Sequence, residues 1–181
     1  EWNTSYRANF ISNVSTDAAG SFSVMVNSIA QRADDLKRHQ VGIPAGYSGN
    51  VATSDVYPNA VQGYYTRSSI VYMIATLENM KNVMYGKNPS TSIDGTGLYD
   101  YLKTLNVTST FGGNLADDII TQIDVCKSKV AECGPDYEQT LLNNKAKADV
   151  LFLETKKLLV LMKVDLPSAF GVSITYSDSD G

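Results

Sequence analysis

Ile119, Ile123, Cys126, Val130 and Cys133 recur at spacings of 4, 3, 4 and 3 residues. That period puts every one of them on a single face of an α-helix, the seam that lets one helix pack on others. Asn114 with Asp117 supplies an N-cap and a first-turn acid ahead of the seam, and Gly134-Pro135 stops it. A chain built around such a seam must supply more apolar helical faces, and this one does. Phe22, Met25, Ile29, Ala33 and Leu36 form a second stripe. Ile70, Ile74, Leu77, Lys81 and Met84 mark a long helix over roughly 59–85, with Pro58 near its start and Gly86 as a C-terminal cap. Tyr137, Leu141, Ala148, Leu151, Thr155, Leu158 and Met162 mark the last long helix, over about 136–164, which Asp165-Leu166-Pro167 should break.

Trp2, Tyr6 and Phe10 open the chain at a spacing of four. Joining them to the Phe22 stripe by steps of four would rotate the face by about 40° per step, so a kink or break is expected near Ser15 to Gly20, with Asp17 capping the second segment. Lys37, Arg38 and His39 end that segment, where cations suit the helix dipole. Gln40 to Pro58 is punctuated by Gly and Pro and reads as a long ordered loop. Leu98, Tyr101, Leu102 and Leu105 describe a short helix, and Val172, Ile174 and Tyr176 alternate as a short strand or extended tail. The expected fold is all-α: one domain over residues 1–181, an antiparallel four-helix bundle with a kinked first helix, one short extra helix and an extended C-terminal tail.

Charge and motifs narrow the chemistry. Lys and Arg number 15 against 19 Asp and Glu, a formal charge of −4, which gives no net attraction for a phosphate backbone; no nucleic-acid partner is expected. The richest apolar stretch, Val150 to Leu166, is broken by Glu154, Lys156, Lys157 and Lys163, so no membrane span is expected. The chain starts at Glu1 without a secretory leader, which reads as a processed start or a cut from a longer chain, compatible with a lipid anchor upstream. Cys126 and Cys133 read as small buried hydrophobes; a bridge between them would need the helix to end before Cys133. The one histidine, His39, has cationic neighbours, reads as part of a solvated basic helix end, and makes catalytic His chemistry a poor fit. Asp94-Gly95-Thr96-Gly97 lacks the third glycine of a dinucleotide fingerprint and reads as a turn, and Ser177 to Gly181 reads as a solvated tail without the distal Glu of a calcium loop. Tyr64, Tyr65, Tyr72, Tyr99 and Tyr101 are either interface packing or the wall of a ligand groove.

The order of motifs carries more information than any one of them. Lys37-Arg38-His39-Gln40-Val41-Gly42-Ile43-Pro44-Ala45-Gly46 is followed by Gly63-Tyr64-Tyr65-Thr66-Arg67-Ser68-Ser69, then by a Gly-rich turn into Leu98-Tyr99-Asp100-Tyr101-Leu102. The chain closes on Leu166-Pro167-Ser168-Ala169-Phe170-Gly171-Val172 and the residues after it. This order resembles the C-terminal half of imelysin-like proteins, the M75 peptidase-like group. The resemblance implies two helical bundles related by duplication, this chain being the second, in a bacterial cell-envelope protein (periplasmic, or a lipoprotein anchored at the outer membrane) linked to iron uptake or regulation. The expected function is that of a binding module, the alternative being half of a metal-dependent peptidase. The family's Gly-x-His-x-x-Glu motif is absent here, as is HExxH, so no catalytic or metal-binding residue is carried onto this chain. No cofactor is expected within it, with iron or another divalent metal left to the full protein. The expected partners are the N-terminal half and an iron-related ligand or envelope protein. The positions expected to face a ligand or the other half are Ile43, Pro44, Tyr64, Tyr65, Arg67 and Ser68, with an exposed apolar face that includes Trp2 or the Tyr64/Tyr65 region.

Overall fold

In the computed structural model of the chain, residues 2–91 and 93–176 are described; the Trp2 side chain and the Ser177 to Gly181 segment lie outside the described residues. Helix accounts for 66% of residues and strand for 3%, so the chain is all-α. A first short helix, α1 (Arg7–Ser12), has no buried residue and is separated by residues 13–20 from α2 (Ser21–Asp35). The break falls where the drift of the apolar stripe requires it. Asp17 does not cap α2, however. Its Oδ1 accepts from the Ala19 N–H at 3.0 Å and shapes the turn, while Gly20 holds the N-cap position.

Beyond Asp35 the helix widens instead of ending. Over Leu36–Gly42 the turn loosens, and the Ile43 N–H reaches the Arg38 carbonyl five residues back, at 2.8 Å. Lys37, read from sequence as a solvated end charge, is buried on this turn with its Nζ 5.9 Å from the centre of the Phe152 ring. Within the expected loop a two-residue hairpin forms, β1 (Tyr47–Ser48) against β2 (Val51–Ala52), antiparallel with Tyr47 opposite Ala52.

The next helix begins ten residues later than its apolar stripe and Pro58 suggest. Single 3₁₀ turns occupy Pro58–Ala60 and Tyr64–Thr66, and α3 spans Ser69–Tyr85. The cause is backbone handedness: Gly63 (φ +73°) and Arg67 (φ +50°) both lie in the left-handed region, which no α-helix passes through. A side chain at Gly63 would also meet the Tyr72 ring at 2.6 Å, so only glycine serves there. The short helix α4 (Leu98–Leu105) starts with the Gly97 N–H donating to Asp100 Oδ2 at 2.9 Å.

The seam itself is α5 (Leu115–Glu132), with Ile119, Ile123, Cys126 and Val130 fully buried. The final helical run is divided. α6 (Tyr137–Asn143) and α7 (Lys145–Val160) are separated by Asn144, at φ −153°. Two consecutive asparagines, poor helix formers that compete for backbone partners, account for the break. Pro167, in contrast, does not end the run. The turn widens over Leu161–Asp165, the Leu166 N–H reaching the Leu161 carbonyl, and the chain continues as α8 (Leu166–Phe170).

α5 packs between α3 and α7, α2 lies against α7 and the widened turn after it, and α4 leans on α3 and α5. Met73, Leu77, Met80 and Met84 from α3, Leu151, Phe152 and Leu158 from α7, and Val26, Ile29 and Ala33 from α2 join the seam in one contiguous core. The tail after Gly171 is extended and held chiefly through Asn27: its Nδ2 donates to the Ser173 carbonyl at 3.0 Å, and the Thr175 N–H donates to its Oδ1 at 2.7 Å. Cys126 and Cys133 are buried free thiols, so no bridge forms.

Candidate functional site

The turn ahead of α3 is the most constrained piece of surface. Gly63 turns the chain. Its carbonyl collects the Thr66 N–H at 3.1 Å and the Ser68 N–H at 3.3 Å, and the hydroxyls of Thr66 and Ser68 bond each other. This closed turn leaves Tyr64 and Tyr65 pointing outward as an edge-to-face pair with ring centres 5.3 Å apart; Tyr65 is 96% exposed. Arg67, held in the left-handed region at a cost of about 1 kcal/mol, extends across to α6 and donates from Nη1 to Asp136 Oδ2 at 2.5 Å.

Asp136 is the N-cap of α6, accepting the Gln139 N–H at 3.2 Å. Capping aims the first turn of α6 at the Arg67 turn, and that places Glu138 underneath it. Pro58, Tyr64, Tyr65, Arg67, Glu138 and Gln139, with Leu142 at the edge, line a cleft of about 250 Å³. Glu138 is only 6% exposed. The Ser69 hydroxyl donates to Oε2 at a long 3.4 Å, the residue's own backbone N–H also bonds the carboxyl, and Oε1 has no hydrogen-bond partner among the described residues. Burial raises the Glu138 pKa, and the neighbouring Asp136 carboxyl raises it further. Asp136 moves the other way: the hydrogen bond from Glu138 lowers it, with the Gln139 N–H and Arg67 adding and burial opposing. The two carboxyls are therefore pushed apart, Glu138 upward and Asp136 downward, with the Arg67 guanidinium beside Asp136.

Of the positions expected from sequence, Tyr64, Tyr65 and Arg67 meet in this cleft. Ser68 stands behind it as the half-buried N-cap residue of α3. Ile43 and Pro44 do not join it. Ile43 is half-buried at the end of the widened turn, and Pro44 is buried, its carbonyl accepting the Tyr57 N–H at 2.8 Å. Pro44 thus anchors the segment leading to Pro58 and does not present a surface. Sequence reasoning missed Glu138 and Asp136. The capping position of Asp136 after Gly134-Pro135 was visible, but the burial of Glu138 comes from the turn before α3 lying against the first turn of α6, a long-range contact that periodicity does not report.

The donor set does not suit a metal. The cleft offers two carboxyls, one already paired with a guanidinium, and among the described residues no group of three or more His, Cys, Asp or Glu side chains is placed to hold an ion. His39 lies apart on the surface, its Nδ1 3.3 Å from Asp35 Oδ1. A second, larger groove of about 550 Å³ separates α2 from α3, lined chiefly by Phe10, Val24, Met25, Ile29, Met80 and Val83. No helix among the described residues is long and apolar enough to cross a membrane.

No family model, curated protein or solved structure matches this chain.

Proposed function

We propose that this chain is a binding module of an imelysin-like cell-envelope protein linked to iron uptake or regulation. In this reading α2, α3, α5 and the α6–α7 arm form an antiparallel four-helix bundle that works alongside a preceding bundle of the same protein. The observation that carries it is the meeting of Tyr64, Tyr65 and Arg67, named from the motif order, around the buried Glu138 carboxyl in one open cleft. An almost wholly exposed Tyr65 ring beside a strained arginine and a desolvated acid adds little to packing, and such features cluster where a molecule recognises another. The apolar groove between α2 and α3 is further support, being the kind of surface a second bundle covers.

The test is association. With this chain and the preceding bundle expressed as separate polypeptides, the two should form a one-to-one complex by analytical ultracentrifugation. Tyr65→Ala and Arg67→Ala should weaken it at least tenfold, about 1.4 kcal/mol. Failure to associate, or association indifferent to both substitutions, would refute the module reading.

A further inference from the structure

Resting on the module reading, we infer that the Tyr64–Glu138 cleft takes an alkylammonium group, the terminus of a lysine side chain on a polypeptide. The argument begins with what the cleft lacks. Among the described residues Glu138 Oε1 is a buried oxygen with no hydrogen-bond partner, and the Ser69 hydroxyl stands a long 3.4 Å from Oε2. Leaving such an oxygen bare is costly, and the missing element is an N–H or O–H donor from outside.

Charge selects the donor's sign. The groups facing Glu138 are Asp136 at the start of α6, Arg67 on the turn before α3, the Ser69 hydroxyl at the start of α3, and the phenols of Tyr64 and Tyr65. With both carboxyls ionised, two negative charges stand against the one guanidinium, and that guanidinium is committed to Asp136 at 2.5 Å. An anion would meet this surplus, while a monocation would neutralise it. The walls then select the cation's type. The Tyr64 and Tyr65 rings stand edge to face with one ring almost wholly exposed, and aromatic faces attract an ammonium by their quadrupole. A lysine side chain fits this arrangement: its methylenes lie along Tyr65 and Leu142, and its three N–H groups reach the acid. A divalent ion, which wants six or more oxygens, finds two carboxyls and a guanidinium.

The ammonium also replaces a proton. Burial and the Asp136 carboxyl raise the Glu138 pKa, and a bound cation favours the ionised carboxyl, so any proton held there leaves to solvent. Binding should therefore strengthen as pH rises through the raised Glu138 pKa and release up to one proton per ligand.

The experiment is calorimetric titration of the whole chain at about pH 8 with a capped Gly-Lys-Gly tripeptide, its acetyl-lysine counterpart and n-butylammonium chloride. The lysine peptide is expected to saturate one site, and the acetylated peptide to bind at least tenfold more weakly. Glu138→Gln should lose at least tenfold, and Tyr65→Ala, which changes only an exposed ring, about threefold. Butylammonium binding as tightly as the peptide supports the same cation chemistry and assigns its source to a free amine. Equal binding of the acetylated peptide, displacement by calcium chloride at equal concentration, or no saturation by any amine would overturn the inference. Should amines fail while Tyr65→Ala still weakens association with the preceding bundle, the module reading stands and only the ammonium is lost.

Discussion

Replacing Glu138 with glutamine should make the protein more stable at neutral pH and leave it unchanged in acid. Glu138 is 6% exposed, with one carboxyl oxygen lacking a partner among the described residues and the other 3.4 Å from the Ser69 hydroxyl. An ionised carboxylate so placed carries an unsatisfied desolvation cost of about 1–3 kcal/mol. Its folded pKa is raised, by burial first and by Asp136 second. The stability that the protonated form provides is therefore complete below the ordinary carboxylate range and is lost as pH rises through the raised folded value. Glutamine keeps the shape and the neutrality at every pH. The difference between Glu138→Gln and the natural chain should grow from near zero at about pH 4 to about 1–3 kcal/mol at about pH 8. In a chain of this length that amounts to roughly 2–10 °C in melting temperature. Urea unfolding followed by circular dichroism across that range measures it directly. A difference that stays flat with pH, or a variant less stable than the natural chain at neutral pH, would show that Glu138 is satisfied in the folded state and would refute the reasoning.

Four other outcomes are expected. Asn27→Ala removes the side chain that holds the tail at Ser173 and Thr175 and also bonds the Ser23 carbonyl, so about 2–3 kcal/mol should be lost, with hydrogen exchange accelerated over residues 172–176. Burial pushes the Cys126 thiol up to about 12 and the Cys133 thiol up to about 11, so neither should react with a thiol reagent at about pH 8 until the chain is unfolded. Gly97→Ala would place its methyl carbon 2.2 Å from the Met84 carbonyl oxygen and 2.4 Å from the Gly86 nitrogen, backbone atoms that cannot yield locally, and should cost at least about 2 kcal/mol by thermal unfolding. Arg67→Gly relieves about 1 kcal/mol of left-handed strain and gives up an exposed ion pair worth about as much, so stability should hold, while under the proposed module reading association with a partner bundle falls at least tenfold.

The parts of the fold that were legible in the sequence are those in which one face alone is buried. The α5 seam shows this best, because each of Ile119, Ile123, Cys126 and Val130 has polar neighbours on the other faces and the period is unambiguous. The break before α2 was equally readable, being a consequence of helical geometry. The start of α3 was not: residues 59–68 hold few strong helix breakers, and it is the backbone sign at Gly63 and Arg67 that excludes them. Periodicity also hides the division at Asn144, since Leu141 and Ala148 keep the stripe in phase across it. In the site, the exposed half was legible through Tyr64, Tyr65 and Arg67. The buried half was not, because whether a glutamate is solvated depends on how two distant turns meet.

Those two halves carry the same physical signature. Arg67 occupies a backbone region that glycine would occupy more cheaply, and Glu138 holds a charge-capable group where glutamine would be more stable. Some buried polar groups elsewhere are satisfied, as Lys37 lies over the Phe152 ring and Asn27 uses both ends of its amide, while Asp34 Oδ1 and Asn114 Oδ1 lack a partner among the described residues and Asn106 is also left-handed. Arg67 and Glu138 fall within one 250 Å³ cleft, linked through a single ion pair to Asp136. The meeting of a left-handed Arg67 and a poorly satisfied Glu138 in one cleft is what the proposed ligand accounts for, since it supplies the acid with a donor from outside.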